Sequence, residues 1–541
     1  MRVTLVTVAL VSLAPPLRPP PPAPIVQQLG TVRFPTSCSA DAQPRFNHAV
    51  ALLHSFAFPP AVEGFEAVLR VDPRCAMAYW GLALSAWGNP FAAAIKPAAQ
   101  LERGLAAVRG ARTAGTPTER ERGYIEAAAR LYAHGDSLDQ RARILAYRDA
   151  MAALTAREPT DTEATIFHAL AQAFSADPAD KTYASQLAAG ATLERLFAVL
   201  PEHPGLAHYI IHSYDLPPLA GRALVAAHRY SHIAPTISHA LHMPSHTYTR
   251  VGSWQESIDA NITAAAAAHR EGATAEELHA SDYRIYAYLQ TGQDRAARRI
   301  VSAVRAMAGR LNPAAISTGG SPAAGYFAIA AVPARYALER GAWAEAARLE
   351  SRPSPVPFAD AMTWFARALG AARAGDTAAA RTAVTVLERL RDSLASHHEN
   401  YWREQVEIQR GAAVAWLDFA AGRKAEALAE MQAAAEREDA TEKNAITPGP
   451  LAPARELLGE MLLASHQPGQ ALTAFETALL HEPNRFRALA GAASAASELG
   501  DQAMARRYYS QLLKLCARAD RPGRASLAPT GRLHGAPSPA R

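Results

Sequence analysis

Eight of the chain's 19 histidines fall between His203 and His246. Imidazole is the commonest metal ligand and the side chain whose charge changes nearest neutral pH. Two pairs are spaced i,i+4: His208 with His212 in HYIIH, and His242 with His246 in HMPSH. On a helix such a pair shares one face about 5–6 Å apart, close enough for two imidazoles to hold one ion. His239 lies three residues before His242 and can join them. Three or more histidines with an open coordination position suit zinc, copper or iron. His208, His212, His239, His242 and His246 therefore form a candidate metal set, with Asp215 placed to accept from the second nitrogen of a ligating ring. A competing reading uses the same residues without a metal: histidines in a groove hydrogen-bond a peptide, or satisfy free carbonyls at helix ends. His203, His228 and His232 read as surface or packing residues, His48 and His168 as core residues, and His397 with His398 as a solvated pair.

Other chemistry is sparse. No GxSxG, GxGxxG, HExxH or Walker loop stands in a suitable context. Net charge is +5, but the segment 517–541 alone carries five arginines against one aspartate. The rest is close to neutral and has no basic helix face or RNP-like motif, so nucleic acid is not expected as a partner. Cys38, Cys75 and Cys516 are the three cysteines and contain no CxxC. Cys38 and Cys75 either form a disulfide tying the N-terminal segment to the first helices or remain two buried thiols.

Positioning these residues requires helices, and the chain supplies them in repeats. A tetratricopeptide (TPR) unit is 34 residues long and folds as two antiparallel helices. Small residues at repeat positions 8, 20 and 27 allow close approach, a large residue at 24 fills the core, and proline at 32 ends the second helix. Across 451–483 this frame selects Gly459, Ala471, Ala478, Phe475 and Pro483; across 46–73 it selects Ala49, Ala61, Val68, Phe65 and Pro73. Turn glycines followed by alanine recur at Gly292, Gly341, Gly375 and Gly422. The fold class is therefore all-α, a TPR-like helical-repeat solenoid. In the repeat frame His208 and His212 fall at positions 5 and 9, and His246 and Thr249 at 2 and 5 of the next unit, which line the concave groove. With Arg250 these five residues are the expected binding groove.

Four regions follow. Residues 1–28 comprise a signal-like apolar run after Met1-Arg2 and a proline-rich linker, which points to export to a periplasmic or extracellular location, or to the cytoplasm if the start is misassigned. Residues 29–312 form an N-terminal array with the histidine cluster, 323–516 a C-terminal array, and 517–541 a basic tail without periodicity, expected to be disordered. Lys443–Pro453 reads as a spacer. No other apolar stretch is long enough to span a membrane.

The segments LGTVRFPTSCSADAQPRFNHAVALLHSF, DPRCAMAYWGLALS, HPGLAHYIIHSYDLPPLAGRAL and HALHMPSHTYTRVGSWQESIDAN resemble a group of bacterial TPR-repeat proteins that share HYxIHxY and HMPSHxxxRxG. The resemblance runs from Leu29 to about Leu515 and marks His208, His212, His239, His242, His246 and Arg250 as family positions. It implies export and attaches no reaction. The leading expectation is a non-enzymatic scaffold that recognises a peptide or protein in its concave groove. The alternatives are a metalloprotein or metalloenzyme built on residues 208–246, and a purely structural envelope scaffold.

Overall fold

Antiparallel helix pairs follow one another along the chain, each packed on the next. Gln43–His54 lies against Phe58–Val71 and Ala76–Trp87 against Ala98–Thr113, and so on to Phe486–Glu498 against Gln502–Leu515. This computed structural model describes residues 27–527 except 93–95, 134–139, 314–315, 317 and 398, and no strand occurs among the described residues. All but the last two residues of the signal-like segment, and 528–541 of the tail, lie outside the described residues. None of the described helices is long and apolar enough to cross a membrane.

The repeat frame reappears as contacts. A Cβ on Gly81 would lie 2.2 Å from the Phe65 ring. One on Gly459 would lie 2.8 Å, and one on Gly491 2.3 Å, from Phe475. The large side chain of a second helix thus fits between the bare backbones of the helices before and after it, which is why those sites are small. Sharp turns separate the helices. Gly375, at φ +85°, adopts a left-handed conformation that glycine takes without steric cost. The following Asp376 accepts from Ala379 N and caps the next helix. His48, expected in the core, is instead exposed and bonds Gln27.

One hydrophobic core runs from Leu29 to Tyr248 and another from Ala324 to Cys516. Between them Trp254, Ile258, Leu278 and Tyr286 pack with Ala328 and Val332. The break near residues 311–324 is therefore a bend across which packing continues, with Thr274–Gln290 lying on Pro322–Glu339. A disulfide joins Cys38 to Cys75, resolving the two readings of that pair.

The two arrays also meet far from this bend. Trp254 Nε1 donates to Asn484 O at 2.8 Å, Arg485 to Tyr286 Oη at 2.7 Å, and Phe486 N to Gln290 Oε1 at 2.9 Å. Residues 517–527 of the expected disordered tail pack here as well: Asp520 N donates to Gly292 O at 3.1 Å and Arg524 pairs with Asp294 at 2.6 Å. The presumed spacer departs most from expectation. Residues 443–450 lie against helices Pro244–Arg250, Thr274–Gln290 and Pro322–Glu339, where Arg335 donates to Thr447 Oγ1 (2.8 Å), Gly449 O (2.8 Å) and Pro450 O (3.0 Å), and Arg250 donates to Pro448 O. Tyr283 Oη donates to Thr447 O at 3.2 Å. The loop satisfies its backbone carbonyls on buried side chains, as an extended ligand in a groove would.

Candidate metal centre

Four short stretches of helix bring the histidines together. Helix Pro204–Ser213 starts on a proline at its first position, a placement that needs no N–H. It presents His208 and His212 one turn apart. Ser238–His242 and Pro244–Arg250 are joined by Met243 at helical angles (φ −53°, ψ −37°). Only the hydrogen bond missing at Pro244 interrupts them, so His239, His242 and His246 stay on one face. Helix Thr274–Gln290 supplies His279, Glu276, Asp282 and Tyr283.

Two triads result. In the first, His208, His212 and His239 each offer a ring nitrogen within 4.8 Å of the others. His208 Nδ1 donates at 2.6 Å to the carbonyl of His54, the last residue of its helix and so without an intrahelical partner. His239 Nδ1 donates at 3.1 Å to Glu276 Oε1. Each of these two Nδ1 atoms carries its ring's proton, which leaves a bare lone pair on Nε2. The Nε2 atoms of His208, His212 and His239 are all buried with no hydrogen-bond partner. Burial, and then the neighbouring imidazoles, hold His208 and His212 well below the usual histidine range, so neither gains a second proton at neutral pH.

The rings are held rigidly. Tyr230 stacks on His208 (centroids 5.1 Å apart, planes at 17°), Phe91 on His212 (4.1 Å, 9°) and Phe56 on His239 (5.7 Å, 18°). Phe56 takes φ +50°, a left-handed conformation that costs a bulky residue roughly 1–3 kcal/mol. Gly319 lies so close over His239 that a Cβ there would be 2.1 Å from the imidazole. Glu276 is fixed in turn by Thr318 Oγ1 at 3.1 Å and by Gly320 N. Burial alone would raise the Glu276 carboxyl, but His239, His242 and His279 together hold it well below the carboxylate range.

The second triad is His242, His246 and His279, again within 4.8 Å. His242 Nδ1 faces Asn261 Oδ1 at 2.7 Å, and Asn261 Nδ2 donates to Ser257 O at 2.7 Å, which fixes the amide's orientation. His246 Nδ1 donates to Asp215 Oδ2 at 2.8 Å. Burial raises the Asp215 carboxyl, but Lys443, His246 and Arg250 together hold it well below the carboxylate range. Both Nδ1 atoms are therefore protonated, and the Nε2 lone pairs of His242 and His246 face each other 3.0 Å apart. Burial lowers His242 to about 4 and His246 well below 6.5. Two unprotonated nitrogens in that position repel unless a cation stands beside them. His279 Nδ1 is buried without a partner.

A third group differs. Glu163 accepts from His54 Nε2 at 3.0 Å and His203 Nε2 at 3.1 Å, and His54 Nδ1 meets Tyr209 Oη at 2.9 Å. Its carboxylate is already paired, and its role is to hold His54, whose carbonyl orients His208.

Every histidine of the expected metal set lies in one of the two triads, and Asp215 accepts from His246. The expected groove is different in one respect: His208, His212, His246, Thr249 and Arg250 are all more than nine-tenths buried. Thr249 Oγ1 bonds Ser257 Oγ at 3.0 Å and Arg250 pairs with Glu482 at 3.2 Å. Residues 443–450 lie against Arg250 and, through Ile446, beside His212 and His246, while His208 is enclosed by Phe56, Tyr230 and the His54 carbonyl. What stays open beside the triads is a narrow pocket of about 10 Å³ bounded by Phe91, His212, His239, His246, His279 and Ile446. Sequence reasoning missed His279 and the orienting groups His54, Glu276, Asn261 and Lys443. Of these only His279 carried a signal, as a histidine one turn past Glu276 on a strongly helical stretch.

No known family's sequence profile matches the chain, and no curated protein matches it. Among solved structures the chain is similar to the APC/C hetero-tetramer Cut9–Hcn1, at 12% identity over 91% of this chain and 76% of that chain, with a TM-score of 0.35. It is also similar to a human IFIT1 dimer with PPP-AAAA, at 11% identity over 77% of this chain and 87% of that one, TM-score 0.35. Likeness of this degree bears on neither ligand nor partner, and the helical-repeat architecture rests on the chain's own packing.

Proposed function

We propose that this helical-repeat chain is a metal-binding protein that holds a divalent transition-metal ion on Nε2 of His208, His212 and His239. The observation that carries the reading is that three histidines bring ring nitrogens within 4.8 Å of one another and each keeps a buried Nε2 that no donor meets. Unpartnered buried acceptors are costly, and a metal satisfies all three at once. Nitrogens bound to one ion at about 2.0–2.1 Å stand roughly 3.3 Å apart at tetrahedral angles, so closure needs shifts of about 1 Å. Three neutral imidazoles suit zinc, copper or iron and leave a coordination position open. The carboxylate and carbonyl behind His239 and His208 orient their lone pairs inward, the arrangement that raises ligand basicity in metal sites. The Cys38–Cys75 disulfide fits the export expected from the N-terminus.

The test is metal content of untagged protein, wild type against His208→Ala/His212→Ala, followed by cobalt substitution. Near-stoichiometric metal in wild type only, with visible cobalt absorption typical of imidazole coordination, is the expected result. Metal-free wild type that also gains no thermal stability from zinc, copper or cobalt would refute it.

A peptide-binding role finds its support elsewhere, in the open part of the groove. There Tyr401, Gln405, Arg455 and His481 line an open pocket of about 90 Å³, and Gln409 Oε1 is buried without a partner. Loss of a captured peptide on Gln409→Leu, with metal content unchanged, is its expected signature.

A further inference from the structure

One ion on the first triad leaves the second without a role, yet the second carries the sharper geometry. His242 and His246 are each committed to donate from Nδ1, to Asn261 and Asp215, and each points a bare Nε2 at the other across 3.0 Å. That spacing is nearly the roughly 3.3 Å expected of two nitrogens on one tetrahedral ion. A ring nitrogen of His279 lies within 4.8 Å of both, and its Nδ1 is buried with no partner. Asn261 and Asp215 serve only to aim the rings. Neither occupies the space between them.

The triads adjoin. Ring centroids of His212 and His246 are 6.0 Å apart, and those of His239 and His242 6.1 Å. The pocket beside them is walled by two histidines of each triad, His212 and His239 with His246 and His279. With about 10 Å³ of free space it holds a ligand of about the size of one water and no peptide. Phe91 and Ile446 give it an apolar rim that excludes bulk water.

Charge narrows the ligand. All six donors are imidazoles, which ligate in the neutral form, so two divalent ions bring four positive charges. Lys443 and Arg250 add two more, and Asp215, Glu276 and Glu482 return three negative ones. The excess must be met by an anion in the pocket. Neither triad contains a carboxylate, whereas magnesium, manganese and di-iron sites are oxygen-rich. An all-imidazole set favours copper or zinc.

We infer that His242, His246 and His279 hold a second metal ion beside the first, making a dinuclear all-imidazole centre whose open positions share a small anionic oxygen donor, hydroxide at rest. The inference rests on the proposed first site, and the experiment separates the two. Chelator-stripped full-length protein is loaded with copper(II), desalted, and its copper counted. Electron paramagnetic resonance then gives the number of unpaired spins. Wild type takes up two equivalents and shows far fewer than two spins, because a shared hydroxide couples adjacent copper(II) ions. His279→Gln retains one equivalent with one full spin, and that retained ion shows that the variant is folded. His208→Gln behaves in the same way through the second triad.

A single equivalent in wild type, kept by His279→Gln and lost from His208→Gln, would overturn the second site and leave the first standing. Two equivalents with two full spins would overturn the shared ligand. No copper in any variant would remove both the inference and the reading on which it rests.

Discussion

Arg335 is the strongest anchor of the segment that closes the groove, and its replacement by methionine gives a sharp test. The side chain is fully buried, with Nε 2.7 Å from Asp282 Oδ1 and Nη2 3.4 Å from Oδ2. Its remaining donors meet Thr447, Gly449 and Pro450. Methionine keeps the length and removes every donor, which strands the Asp282 carboxylate in the interior. Breaking a buried pair in this way costs roughly 3–5 kcal/mol. Burial already pushes the Asp282 carboxyl up even with Arg335 opposing it, and without the guanidinium it rises further. The folded variant therefore takes up a proton more readily than its unfolded chain, so the penalty is full at high pH and shrinks as pH falls through the raised value. Urea unfolding at pH 8 and pH 5 should show the larger loss at pH 8. Arg335→Met/Asp282→Asn should recover most of it, leaving about 1–2 kcal/mol for the carbonyls without donors. Hydrogen exchange at the amides of Ile446 and Gly449 should speed up in both variants, because the loop loses its clamp in both. A single-variant cost below about 1 kcal/mol, or a double variant no more stable than the single, would show that the pair does not hold the groove shut.

Two further outcomes follow from features of the array. Cys38→Ser/Cys75→Ser opens a loop of 37 residues and should lower stability by about 4 kcal/mol on the chain-entropy estimate, read as a shift in urea midpoint that wild type reproduces under reductant. Gly81→Ala places a methyl group 2.2 Å from the Phe65 ring and should cost about 1–3 kcal/mol, partly restored by Phe65→Leu; a neutral Gly81→Ala would contradict the small-against-large packing of the repeats.

The fold was largely legible because repeat packing depends on local spacing. Phe65 and Phe475 sit where one turn register demands a large residue, and Gly459 where the facing helix leaves no room, whereas Gly81 sits outside the frame's small positions. The histidine pairs were legible for the same reason: i,i+4 spacing is a property of one helix. His279 was not, because it reaches the second triad from a separate helix and its one neighbour in sequence, Glu276, serves the first triad. His54 was hidden more deeply, since it acts through a backbone carbonyl that any residue would supply. The closing of the groove had no local signature at all. Residues 443–450 read as a spacer because loops are polar and rich in proline and glycine wherever they go, and only the buried arginines Arg250 and Arg335 reveal where this one lies.

The bonds between residues near 250–294 and those near 482–524 change what kind of repeat protein this is. An open solenoid behaves as a one-dimensional chain of springs: each unit feels only its neighbours, units can be added or removed, and unfolding can start at an end and stop partway. Here Trp254 is bonded to Asn484, Arg250 to Glu482 and Gly292 to Asp520, across separations of more than two hundred positions. Such contacts raise the mean sequence separation of the fold and predict slow folding for an all-helical protein. They also make the spring a clasp. Its pitch cannot stretch or wind to suit a partner, and inserting or deleting one repeat between the clasped points would pull the histidine-bearing helices out of register with the loop that covers them. Modularity, the usual advantage of a repeat architecture, has been given up here for a fixed interior.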